Sequence, residues 1–213
     1  MKRVLLILGL LTLAGLWFGP LPELAKHSFA AHMALHMGVV AMAAPLLSLG
    51  LAGGAWDPVR RAPAWFPPVP LSVVELVLVW AWHAPTLHHA ARHSLGGFVA
   101  EQASFAVAGL VLWLSAFGGD RERRAERAGA GVAALLLTSM HMTLLGALLA
   151  LTPRALYVHA AHAPSSSALT PLEDQHLGGA IMLVIGGVSY LAGGLWLTAG
   201  LVRFQRGRRE VSA

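Results

Sequence analysis

Long apolar runs alternate with short basic or proline-rich connectors along this chain, and charged residues are almost absent inside the runs. About 20 apolar residues in a helix cross the hydrocarbon core of a bilayer. Six segments fit that pattern: Val4–Phe18, Phe29–Ala52, Val69–His83, Phe98–Phe117, Gly129–Leu151 and Leu177–Val202. The first and third are short against it, so their ends are soft. No internal repeat and no separate soluble domain interrupts the series. Residues 1–213 therefore read as one transmembrane domain, an all-α polytopic bundle of about six helices. Pro63, Pro67, Pro68 and Pro70 predict a stiff, extended connector before the third span. Pro85 predicts a stop after His83 and a restart as a short amphipathic helix over about 85–95, lying in the membrane interface.

The basic residues orient the bundle. With the N-terminus inside, twelve of the 15 lysines and arginines fall on the cytoplasmic side, and only Lys26, Arg92 and Arg154 fall outside. That bias follows the positive-inside rule, and an even number of spans puts both termini in the cytoplasm. Residues 1–18 also have the outline of a signal peptide, with Lys2 and Arg3 before an apolar stretch. The following Leu-Pro-Glu-Leu-Ala-Lys-His supplies no small-x-small cleavage site, so an uncleaved first helix is expected.

Composition agrees. The chain has 56% hydrophobic and only 12% charged residues, with a mean hydropathy of +0.65, whereas soluble domains carry roughly 25% charged residues. The formal charge of +5 and pI near 10.7 come from arginines that flank apolar segments. Lipid headgroups and topology, rather than nucleic acid, account for them. With no cysteine, disulfides, zinc–thiolate sites and CxxC redox chemistry are excluded. No P-loop, GxSxG elbow or HExxH motif marks an enzyme.

In this orientation all 11 histidines lie in the outer half. His32 and His36 are one turn apart in the second span. His83 ends the third, followed by His88, His89 and His93, whose default reading is solvated interface, with a weak metal-capture role as the alternative. His141 lies near mid-membrane, about ten residues or ~15 Å below the outer surface. His27 is in the first outer loop, and His159, His162 and His176 lie in or beside the outer loop 152–176. Polar side chains at membrane depth are costly and are retained for a function.

Spacing of four puts His32 and His36 on one helical face, close enough to share a metal ion. Met33 and Met37 repeat the spacing on an adjacent face, and imidazole with thioether suits Cu(I). The alternative is two histidines hydrogen-bonded to neighbouring helices, with methionines filling space. His83, His141 and Met142 lie at compatible depths and favour a metal or cofactor. In Met140-His141-Met142 adjacent residues point about 100° apart, so at most His141 and one methionine face inward. Trp80 and Trp82 suit an interfacial belt. Glu173-Asp174-Gln175-His176 stands just ahead of the last span, where carboxylates suit a helix N-terminus. Glu75 is buried in the third span, as a proton site or an interhelical contact.

Taken together, HMALHMGVVAMAAPLLSLG, WHAPTLHHAARHS, PRALYVHAA and LEDQHLGGAIM resemble the CtaG family of assembly proteins for caa3-type cytochrome c oxidases. The resemblance runs from about residue 29 to 200. It implies a polytopic membrane protein that helps build a haem-copper oxidase, with copper supply as its task, and His32, His36, His83 and Asp174 match the family's recurrent polar positions. The chain departs from the family in showing six spans where seven is common, and in carrying His88 where Tyr is frequent.

The expectation is a non-catalytic metallochaperone in a bacterial cytoplasmic membrane, binding Cu(I) at its outer face and passing it to an oxidase subunit. A periplasmic copper chaperone is a further possible partner. His32, His36, His83 and His141 would form the site, with Met37 or Met142 as a soft ligand. Asp174 and His176 would gate access or orient an imidazole. Three rivals remain: a haem-b electron-transfer protein using His36 with His83 or His141, a metal-free scaffold, and a copper transporter, which the histidine-free inner half argues against.

Overall fold

A computed structural model describes residues 1–120, 124–157 and 169–212. His159, His162, Ser165–Ser167, Arg121 and Arg123 lie outside the described residues. The described chain is all helical: α1 (Lys2–Phe18), α2 (Leu21–Ala25), α3 (Phe29–Met37), α4 (Ala44–Leu51), α5 (Pro58–Arg61), α6 (Pro68–His83), α7 (Pro85–His93), α8 (Leu95–Phe117), α9 (Arg124–Leu151), α10 (Pro171–Ile181) and α11 (Gly187–Ser212). π-helical turns, Gly38–Ala43 and Met182–Gly186, fuse α3 to α4 and α10 to α11.

Five helices are long and apolar enough to cross a membrane: Phe29–Leu51, Pro63–His83, Leu95–Phe117, Arg127–Leu151 and Pro171–Arg206. The sixth expected span forms α1, whose 17 residues fall just below that length. It ends at Gly19-Pro20, where proline cannot continue the ladder. Yet α1 runs along the α3–α4 helix. Its Leu6 meets Gly50, its Gly9 meets Leu47 and its Leu16 meets Gly38, a stripe of leucines against glycines.

Two boundaries differ from the sequence reading. The proline-rich connector is extended only in part: Pro67 is extended, but Pro63 opens a 3₁₀ turn, Pro63–Trp65, and Pro68 and Pro70 lie in the first turn of α6. Proline's fixed φ favours the first turn of a helix as readily as extended backbone. The last span starts six residues early, at Pro171, because Thr170 and Glu173 form a reciprocal capping box. The segment 173–176 is thus the helix's opening rather than its approach.

α9 packs against α6, α8, α10 and α11, while α8 bridges α4 and α6. α9 and α10 touch backbone to backbone: a Cβ at Gly179 would lie 2.5 Å from the Ala150 amide nitrogen, and one at Gly146 2.6 Å from that of Leu183. The first π turn opens carbonyls that an α-helix would consume, and neighbouring side chains fill them. Trp113 Nε1 donates to the Val40 carbonyl at 3.0 Å and Ser189 Oγ to that of Ala41 at 2.7 Å. Tyr190, which donates to Glu75 Oε1 at 2.6 Å, also lies 3.3 Å from the Val40 carbonyl.

Candidate metal centre

The helix carrying His32 and His36 is held at its N-terminus from two directions. Ser28 caps it in the usual way, accepting from the Ala31 amide at 3.1 Å. Asp174, on α10, accepts from the amides of Phe29 (2.5 Å) and Ala30 (3.1 Å) and from Ser28 Oγ (2.7 Å). A carboxylate there satisfies orphan donors and faces the positive end of the helix. Gly178, one turn on, gives the Phe29 ring direct contact with the α10 backbone.

With α3 so placed, His32 and His36 point between α6, α7 and α8. His36 is fully buried, and its ring lies 5.5 Å from His83 and 3.9 Å from Phe105. His32 meets His88 edge-on at 4.9 Å and His83 at 6.4 Å. Glu101 of α8, also fully buried, brings Oε1 to 3.5 Å from His32 Nε2. One donor atom each from His32, His88 and Glu101 falls within 4.8 Å of the others. Bonds of ~2.0–2.2 Å to a shared metal would hold ligand atoms at most ~4.4 Å apart. Three ligand atoms around one such ion average no more than ~3.8 Å apart, so side-chain adjustments of up to about 1 Å close the set.

Several of these atoms have no hydrogen-bond partner among the described residues: His32 Nε2, both nitrogens of His36, His83 Nε2 and Glu101 Oε1. Each such buried group costs about 1–3 kcal/mol. His83 Nδ1 is satisfied by the Val79 carbonyl at 2.6 Å, which makes it the protonated nitrogen and leaves Nε2 with a free lone pair. Neutral imidazole lone pairs are able to ligate a metal, and two imidazoles with a carboxylate are a donor set that divalent transition metals and copper accept.

The support around the histidines is specific. Tyr157 donates to the His83 carbonyl at 2.6 Å, stacks on Phe29 at 4.4 Å and touches the His88 ring at 4.4 Å. Burial pushes its phenol up to about 12, so it remains a donor at any physiological pH. Arg92 at the end of α7 is brought down to about 10 by burial, opposed by the nearby charges of Glu101 and Asp174. A cavity of about 360 Å³ between α2 and α7–α8 reaches His32, with Lys26, Arg92, His93 and Phe98 on its walls.

The residues expected at this site divide. His32, His36 and His83 come together. His141 is buried on α9 but makes no ring contact with them, and its nitrogens have no partner among the described residues. Met37 and Met142 meet at Gly186, against the second π turn. Asp174 spends both oxygens on the start of α3. His176 binds the Thr152 carbonyl at 2.9 Å. Two residues were misread or missed. His88, assigned to solvated interface, is buried, because α7 turns its 84–88–91 face inward, while His89 and His93 stay exposed. Glu101 escaped notice although a carboxylate within an apolar span is itself a signal.

Comparison with curated proteins finds no match to the chain, and comparison with solved structures finds none either. The model of one family, described as cytochrome c oxidase caa3 assembly factor (Caa3_CtaG), matches residues 1–203. With nearly the whole chain matched, this polytopic helical protein belongs to the Caa3_CtaG family of cytochrome c oxidase assembly factors.

Proposed function

We propose that this protein binds copper at the His32–His88–Glu101 centre, at the outer side of a bacterial cytoplasmic membrane, and delivers it to a subunit of the haem-copper oxidase that it helps to assemble. The observation that carries this reading is the convergence of three buried donor groups from α3, α7 and α8 within 4.8 Å. Imidazoles and one carboxylate release a metal more readily than a closed thiolate cage, which suits a carrier. The cavity beside His32 supplies an entry route, and its position below α7 suits exchange with a partner at the membrane surface. The role is one of binding and transfer, without a catalytic step.

The topology that fits this role has six spans and both termini in the cytoplasm. The alignment of α1 with the α3–α4 helix supports counting it as a crossing, since ~1.5 Å per residue over 17 residues gives about 25 Å. Twelve basic residues then face the cytoplasm.

Elemental analysis of detergent-purified protein after Cu(I) loading tests the proposal, taken with an absorption spectrum and beside His32→Ala/Glu101→Gln. Copper bound by the wild type and reduced in the variant, with no Soret band, supports it, and transfer to a copper-free oxidase subunit is the next step. A folded wild type that takes up no copper refutes the metal centre, and a Soret band turns the reading to haem.

A further inference from the structure

Two histidine nitrogen sets in this cluster are separated by one helical turn, and the ring spacings divide them. A metal bound through ~2.0 Å bonds sits about 3.2 Å from each imidazole centre, so rings that share one ion at ligand angles of ~110–120° have centres no more than about 5.5 Å apart. His32 and His88 satisfy this at 4.9 Å, and His36 and His83 satisfy it at 5.5 Å. His32 and His83, at 6.4 Å, do not. Glu101 belongs to the first pair and is absent from the second.

We infer that the chain holds two metal positions in series, an outer one at His32, His88 and Glu101 and a deeper one at His36 and His83. The deeper position rests on its own observations. His36 is fully buried, and neither ring nitrogen is bonded among the described residues. His83 Nε2 is likewise buried and unbonded, and the Val79 contact at Nδ1 fixes it as the unprotonated atom. Phe105, 3.9 Å from the His36 ring, closes one side against water. Two neutral imidazoles in an apolar pocket, without a carboxylate, form a low-coordinate site for a soft monovalent ion such as Cu(I). The outer position, with its carboxylate, also accommodates divalent ions. The arrangement passes an ion inward by exchanging one ligand at a time, with His32 and His83 as neighbours across the step.

This inference rests on the copper reading above, and the experiment separates the two. Full-length protein in lipid nanodiscs is loaded anaerobically with Cu(I) alone and metal is counted per chain. The wild type is compared with His36→Gln/His83→Gln and with His88→Ala/Glu101→Gln; glutamine keeps bulk at the deep pair, and helicity with a single size-exclusion peak shows that each variant is folded. Two copper ions in the wild type and one in each double variant are expected. X-ray absorption of His88→Ala/Glu101→Gln is expected to show a low-coordinate, nitrogen-ligated Cu(I). One ion in the wild type, lost alike in both variants, overturns the second position and leaves the copper reading standing. Two ions retained by His36→Gln/His83→Gln also overturn it. No metal in folded wild type sinks both.

Discussion

The carboxylate of Asp174 accepts a hydrogen bond from the backbone amide of Phe29 at 2.5 Å, joining residues 145 positions apart. Through it the start of α10 fixes the depth and rotation of the helix that carries His32 and His36. Asp174→Ala leaves the amides of Phe29 and Ala30 without their acceptor, at an expected cost of about 1–3 kcal/mol. Thermal unfolding in detergent reads the loss. Copper affinity should fall as well, although Asp174 touches no metal position. Unchanged affinity would show that the clasp does not position the histidines.

His88, His89 and His93 share one short helix but not one fate. His88→Ala is expected to lower copper affinity at least tenfold, which is about 1.4 kcal/mol. His89→Ala and His93→Ala, at exposed positions, should leave it within twofold. Competition against a Cu(I) chelator measures all three. Equal effects from the three substitutions would contradict the buried placement of His88.

Tyr190 and Glu75 form a separate polar pair near the π turn, at 2.6 Å. Tyr190→Phe removes the donor and leaves a fully buried carboxyl group with a lost partner, so about 1–3 kcal/mol of stability should go. Metal content should not change, because neither residue belongs to the histidine cluster. Loss of copper without loss of stability would tie this pair to the site.

The contact of α9 with α10 leaves no room for a methyl group. Gly179→Ala would drive a carbon into the Ala150 backbone and should destabilise by about 1–3 kcal/mol. Gly15→Ala, with nothing within 4 Å, should stabilise α1 by about 0.5–1 kcal/mol. A pair of melting curves checks both signs.

What could be read from the sequence was depth, and what could not was direction. The apolar runs located the five long spans, and the four-residue spacing of His32 and His36 put both on one face. Which helices that face would meet depends on packing order, which one strand of sequence does not contain. Sequence alone therefore groups with His32 and His36 both His141, whose ring contacts none of theirs, and Met37 and Met142, which lie against Gly186. Asp174 was placed beside a helix N-terminus correctly, but the helix that it serves is α3, not its own. Glu101 carries a signal in the sequence, as a carboxylate within an apolar span, but the burial of His88 follows only from the packing of α7 against α8.

The π turn at Gly38–Ala43 has a consequence for how this protein can change over evolutionary time. Such a turn is in effect one residue inserted into an α-helix, and each residue turns a helix by about 100°. The phase of the segment that bears His32 and His36 is thereby uncoupled from that of Ser48 and Gly50 below it. Removing a single residue there would restore a regular helix and swing one half around its axis. Either the histidines would leave their partners or Gly50 would leave Leu6. A change in the length of this helix by one residue is therefore not tolerated.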